Sequence, residues 1–246
     1  MTTIYVLIHM HTPQIIRTNN FGTDAAAFIT RALQETGKSC PVVCLPSGMT
    51  PLPVYKAMRE ADCKIDLHYV ALDEYIGLEA TDERLFSNWL AREILDPLNI
   101  PKTQRTIFHS MHDDTEAECT RMKAFLKENP LDIAVIGIGV NGHIGFNEPP
   151  SNPTDSIRIV SLCPITRQNN AAYWDGGRVP KQAFTLGLKE ILSAKTIILM
   201  ATGASKADII RKTFDNPVSE TCPASFLQEH PNVILIGDTG ALSQLS

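Results

Sequence analysis

Ile133-Ala134-Val135-Ile136 runs directly into Gly137-Ile138-Gly139-Val140-Asn141-Gly142-His143-Ile144-Gly145-Phe146-Asn147-Glu148-Pro149-Pro150. The first four residues are apolar without alternation, the pattern of a short strand covered on both faces. The 14 residues after them hold four glycines, one histidine, one carboxylate and two amides, too polar and too Gly-rich for a plain connection. Similar runs occur at Ile4–Ile8, Val42–Leu45, Tyr69–Leu72, Ile157–Ser161, Ile197–Met200 and Val233–Ile236. Between them lie helix-length amphipathic segments: Asp24 to Glu35, Pro51 to Glu60, Leu85 to Ile94, Thr115 to Lys127 and Lys206 to Phe214. Thr115-x-x-Glu118 has the spacing of a capping box. Strands alternating with helices predict an α/β fold: a mostly parallel, Rossmann-like sheet in a three-layer α/β/α arrangement. No repeat, low-complexity tract or linker interrupts the chain, so residues 1–246 are read as a single domain.

Composition narrows the function classes. The 246 residues carry 22 Lys or Arg against 27 Asp or Glu, a net charge of −5. Phosphate-backbone binding normally shows as a basic domain or stripe, and neither is present, so no nucleic-acid partner is expected. No run reaches the roughly 18 apolar residues of a membrane span, so no membrane role is expected. Cys40, Cys44, Cys63, Cys119, Cys163 and Cys222 are scattered without a C-x-x-C pair, which reads as free thiols in a reducing compartment, by default the cytoplasm.

Ligands of open parallel sheets gather at the carboxyl ends of the strands. Three loops at such ends carry chemistry. After Val42–Leu45 comes Pro46-Ser47-Gly48-Met49-Thr50-Pro51, leading into a helix. Ser47, Gly48, Met49 and Thr50 would present backbone N–H groups and hydroxyls at a helix N-terminus, a setting for a phosphate or carboxylate. A plain strand-to-helix turn with Thr50 as N-cap accounts for the same residues. After Tyr69–Leu72 come Asp73 and Glu74, two carboxylates pointing to opposite sides. One could act as a base and the other as a structural or charge-tuning partner; a solvated acidic turn closed by Gly77 is the alternative. In the third loop, His143 with Glu148 five residues away reads as an oriented acid/base. No second His or Cys lies at ligand spacing, so a metal site ranks low.

Leu72-Asp73-Glu74-Tyr75-Ile76-Gly77-Leu78 and the Gly137–Pro149 segment together resemble the two signature segments of the glucosamine-6-phosphate deaminases (isomerases). The likeness continues through Thr166-Arg167-Gln168, Val179-Pro180-Lys181, Thr185-Leu186-Gly187, Gly203 to Ala207 and Pro223 to Gln228. The wider superfamily includes galactosamine-6-phosphate deaminases and 6-phosphogluconolactonases. The resemblance implies conversion of a 2-amino-2-deoxyhexose 6-phosphate and water to a ketohexose 6-phosphate and ammonia. By position, Asp73 resembles the base that takes the C2 proton. His143 resembles the ring-opening acid/base, and Glu148 the carboxylate that orients it. Many relatives carry Asp where this chain has Asn141, although Asn also occurs there; Glu148 is then the nearer negative partner of His143. The phosphate is expected on the Ser47–Thr50 loop and Lys206. A C2 proton beside an imine or aldehyde yields to a positioned carboxylate, so no metal or redox cofactor is required.

One departure concerns the phosphate. Family members usually grip it with an Arg at the place where this chain has Ala172. A lost charge-assisted contact costs about 1.5–3 kcal/mol, and Arg178 or Arg167 could replace it. Relatives with a galactosamine substrate are also less arginine-rich here, so the epimer stays open. Lactonases resemble this chain in Asp82-Glu83-Arg84, Ser87-Asn88 and Ala91-Arg92-Glu93, but their Gly-His loop continues differently. A lactonase, or a sugar-phosphate binder of little activity, is the alternative reading. Family members occur as monomers and as larger oligomers, and a homo-oligomer is left open.

Overall fold

The chain is described by a computed structural model over residues 11–61, 65–171 and 179–245. The expected strand Ile4–Ile8, together with Cys63, Ala172 and Arg178, lies outside these residues. The strands are β1 (Gln14–Thr18), β2 (Val42–Leu45), β3 (His68–Ala71), β4 (Asp73–Tyr75), β5 (Arg105–Thr106), β6 (Ile133–Gly137), β7 (Arg158–Ser161), β8 (Gln182–Thr185), β9 (Thr196–Ala201) and β10 (Val233–Asp238). The α-helices are α1 (Phe21–Glu35), α2 (Leu52–Glu60), α3 (Phe86–Leu90), α4 (Thr115–Glu128), α5 (Pro164–Asn170), α6 (Leu188–Leu192) and α7 (Ala207–Asp215).

Seven strands pair in parallel in the order β1-β10-β9-β6-β2-β3-β5. The central strands are buried on both faces: Val43, Cys44, Ala134, Val135, Ile198 and Leu199 are fully inaccessible. That burial explains their unbroken apolar runs and requires helices on both sides of the sheet. The three-layer α/β/α expectation therefore holds. From β2 the chain proceeds outward through β3 to β5, whereas from β6 it proceeds the other way through β9 to β10. The crevice between the carboxyl ends of β2 and β6 is thus a topological switch point, where diverging loops leave room for a ligand.

A second sheet of three antiparallel strands, β4-β8-β7, stands beside this crevice. It pairs Asp73 with Thr185 and Glu74 with Phe184. The run Ile157–Ser161, expected in the parallel sheet, belongs here as Arg158–Ser161 and is only half-buried. β1, β4, β5 and β8 lie outside the expected strand runs. β1 is a largely exposed edge strand, β4 is polar, and β5 has two residues, so none carries an apolar run.

Three helix expectations are refined. Segment Leu85 to Ile94 is a short α-helix, α3, continued as a π-helical turn at Ala91–Leu95. α4 is capped by Asp114, which accepts from Ala117 N at 2.9 Å. Glu118 does not complete a box; it is fully buried and instead accepts from His109 N at 2.7 Å and from Arg121. α7 begins at Ala207, with Lys206 closing a 3₁₀ turn just before it.

Candidate active site

A cleft of about 690 Å³ opens at the switch point. Its wall includes Ser47, Gly48, Met49, Thr50, Asp73, His143, Thr166 and Lys206. The Ser47–Thr50 loop, Asp73, His143 and Lys206, expected from sequence to act together, therefore meet on one surface, which Thr166 joins. Asn141 and Glu148 reach it through His143.

The Ser47–Thr50 loop leaves β2 with Gly48 at φ +102°, a conformation that glycine adopts at little cost. It delivers the chain to α2, whose N-terminus has no side-chain cap. Open N–H groups at such an end favour an anion. Across the crevice, Lys206 is half-buried and donates to Ile138 O at 2.7 Å, which holds its ammonium on the cleft wall. Burial lowers its pKa below the usual lysine range.

Asp73 and Glu74 divide as strand alternation requires. Asp73 faces the cleft. Glu74 is fully buried on the other side and accepts from Tyr75 N, Phe86 N and Ser87 N at 3.0, 2.9 and 2.8 Å. It thereby ties β4 to the first turn of α3. Burial pushes Glu74 up to about 6, with these hydrogen bonds opposing the rise. Asp73 is pushed up to about 8, first by its depth in the cleft and then by the neighbouring Glu74 charge. A carboxyl so raised is a stronger base once ionised.

The Gly137–Pro150 loop builds a hydrogen-bonded chain behind His143. Asn141 Oδ1 accepts from His143 Nδ1 at 2.7 Å and from His143 N at 3.2 Å. Asn141 Nδ2 donates to Glu148 Oε2 at 2.6 Å. Thr166 Oγ1 donates to the other carboxylate oxygen, Oε1. Glu148 Oε2 also lies 3.5 Å from His143 Nδ1, beyond the direct contact expected of its orienting partner. The amide, not the carboxylate, makes the short bond to the ring. A carbonyl oxygen accepts only, so this contact requires the proton on Nδ1 and leaves Nε2 as the ring's other nitrogen. Burial would raise Glu148, but His143, Thr166 and Asn141 outweigh it and hold the carboxyl at about 2.

Glycine shapes this loop where it must. A Cβ on Gly139 would overlap the His143 imidazole, so the ring rests on the bare α-carbon. Buried Asn147 pins the loop from beneath: it donates to Ile144 O and Leu186 O at 2.8 and 2.9 Å and accepts from Arg158 at 2.8 Å.

Other cleft residues were not singled out as site residues from sequence. Arg84 and Arg92, quoted only for their likeness to lactonases, lie on the wall with Phe86 and Trp89. Their signal was the segment Asp82 to Glu93 following a charged strand end. Arg167 does not line the cleft; it points to Val179 O at 3.4 Å. Among the described residues, no three His, Cys, Asp or Glu side chains cluster closely enough to hold a metal. No helix among them is long and apolar enough to cross a membrane.

The cleft at the sheet's switch point thus brings together a carboxyl, a hydrogen-bonded histidine and a loop of open backbone N–H groups. Residues 18–235 match the family described as glucosamine-6-phosphate isomerases/6-phosphogluconolactonase. The chain is 37% identical over 232 residues to the glucosamine-6-phosphate deaminase of Cutibacterium acnes, spanning 92% of this chain and 88% of that one. It is 40% identical over 206 residues to that of Streptococcus suis, spanning 83% and 87%. Among solved structures, a monomeric glucosamine-6-phosphate deaminase matches with a TM-score of 0.87 at 32% identity, covering 94% of this chain and 99% of that one. The 6-phosphogluconolactonase of Trypanosoma brucei matches with a TM-score of 0.75 at 17% identity, covering 96% and 100%, a likeness of fold. The chain belongs to the glucosamine-6-phosphate isomerase/6-phosphogluconolactonase family.

Proposed function

We propose that this protein is an enzyme that isomerises and deaminates an aminohexose 6-phosphate, giving a ketohexose 6-phosphate and ammonia. The observation that carries the reading is that Asp73, raised to about 8, shares one cleft with His143 and the Ser47–Thr50 loop. A lactonase needs a water-activating base and a phosphate grip, but no acceptor for a carbon-bound proton. Deamination needs that acceptor.

The phosphate sits on the Ser47–Thr50 loop and Lys206. Arg84 and Arg92 are the other lysine or arginine side chains on the wall among the described residues. His143 opens the pyranose through Nε2, moving a proton between the C1 hydroxyl and the ring oxygen. Asp73 then removes the C2 proton of the open aldehyde. The substrate's C2 ammonium brings positive charge against this carboxyl and favours its ionised form. The electron pair released at C2 enters the C1–C2 bond while O1 takes a proton from the C2 ammonium, giving the enolamine; the proton held by Asp73 then goes to C1 and leaves a C2 iminium. Water adds to that iminium, and the C–N bond breaks to release ammonia and leave the C2 ketone. The whole chain serves as one catalytic unit, with a cytoplasmic sugar phosphate as its substrate class.

The test is ammonia release from glucosamine 6-phosphate and galactosamine 6-phosphate, run beside hydrolysis of 6-phosphogluconolactone. Ammonia from either amino sugar supports the reading and names the epimer. Lactone hydrolysis without ammonia from either overturns it, as does binding without turnover.

A further inference from the structure

We propose that Thr166 is a positioning residue that fixes the direction of the hydrogen bonds behind His143. The inference rests on the deaminase reading for its kinetic consequence, while its structural consequence stands alone.

Thr166 is almost fully buried in the first turn of α5, and its Oγ1 reaches Glu148 Oε1. Its own backbone N–H is taken by Cys163 Sγ at 3.4 Å, and the Cys163 thiol donates to Oγ1 at 3.3 Å. The hydroxyl proton is therefore free to go to the carboxylate. Glu148, held ionised, can only accept. Thr166 occupies one carboxylate oxygen and Asn141 the other.

That pinning decides which way the Asn141 amide faces. An asparagine can present oxygen or nitrogen to either side, and only its neighbours choose. Glu148 Oε2 selects the NH2 end, which leaves Oδ1 for His143 Nδ1. Without the Thr166 hydroxyl, Oε1 has lost its donor in a half-buried site, and the carboxylate turns to recover one. Oε2 then leaves Asn141, the amide loses its preference, and the imidazole loses the acceptor that holds its proton on Nδ1. A relative bearing Asp at position 141 would have no such amide to orient, so this dependence follows from Asn141 itself.

The experiment compares wild type with Thr166→Val and Thr166→Ser, using ¹⁵N-labelled histidine at neutral pH, with His143→Gln to assign the signals. Wild type shows the Nδ1–H tautomer; Thr166→Ser retains it; Thr166→Val shows a mixture of both tautomers. In ammonia release, Thr166→Val loses about tenfold or more in kcat with KM nearly unchanged, as expected for a displaced catalytic group. Thr166→Ser recovers most of that loss. An unchanged imidazole pattern in Thr166→Val overturns the proposal, even if kcat falls. Absence of ammonia from the wild type would overturn the functional reading alone, because the tautomer comparison still decides the role of Thr166.

Discussion

The imidazole of His143 lies directly against the α-carbon of Gly139, where no side chain can be accommodated. Gly139→Ala is therefore expected to push the ring from its place rather than to unfold the chain, because the ring lies at the cleft and can move. A displacement of about 1 Å at a reacting group costs on the order of 10²-fold. Steady-state kinetics should show that loss in kcat, with unchanged circular dichroism.

Asp73 gives a pH dependence whose sign can be worked out. Its carboxyl is raised to about 8 in the folded chain, against about 3.9 when unfolded. The folded state therefore holds the proton more tightly, and stability attributable to this group falls as pH rises from about 4 to about 8. Asp73→Asn removes that penalty. It should raise Tm, with the largest gain at and above pH 8. As a base, Asp73 acts only when ionised, so the substrate-free limb of kcat/KM should rise towards pH 8. Thermal melts and pH–rate profiles at several pH values check both.

Asn141→Asp places a carboxylate oxygen where Nδ2 now donates to Glu148 Oε2 at 2.6 Å. Two carboxylates at that distance cannot both ionise in place, so they share a proton or separate. A shared proton keeps the chain to His143 only while the pair holds it, and separation breaks the chain. The geometry predicts about a tenfold loss of kcat or more, with KM retained, at pH values where the pair has lost its shared proton. Wild-type kcat in the variant would show that the amide is dispensable.

Lys206 is tied to Ile138 O and faces the cleft beside the β2 loop. Lys206→Ala removes binding common to ground state and transition state, which appears in KM rather than kcat. The loss of a charge-assisted contact, about 1.5–3 kcal/mol, corresponds to roughly a 10- to 150-fold rise in KM. An unchanged KM would place the phosphate elsewhere, with Arg84 or Arg92 as the cations to test next.

The parallel sheet was legible because its central strands are buried on both faces, so Val42–Leu45 and Ile133–Ile136 appear as unbroken apolar runs. The same cue failed for Ile157–Ser161, where an apolar start leads into a half-exposed antiparallel strand. β4 was hidden because Asp73 and Glu74 carry chemistry where a strand usually carries packing. The site's first members could be read from residue type at strand ends and from family likeness. Thr166 could not, since its role depends on α5 folding back onto Glu148 across 18 positions. Nor could the Glu148–Asn141–His143 order, which spacing alone would reverse into a direct His143–Glu148 contact.

The central claim, a carbon acid deprotonated by Asp73, is tested most directly by proton NMR of the aminohexose 6-phosphate in D₂O. Substrate at saturating concentration is followed with wild type and with Asp73→Asn. The account predicts that wild type releases ammonia and breaks the C2–H bond at the same time. Asp73→Asn should bind the sugar phosphate and do neither. Ammonia release by Asp73→Asn at the wild-type rate would contradict the account.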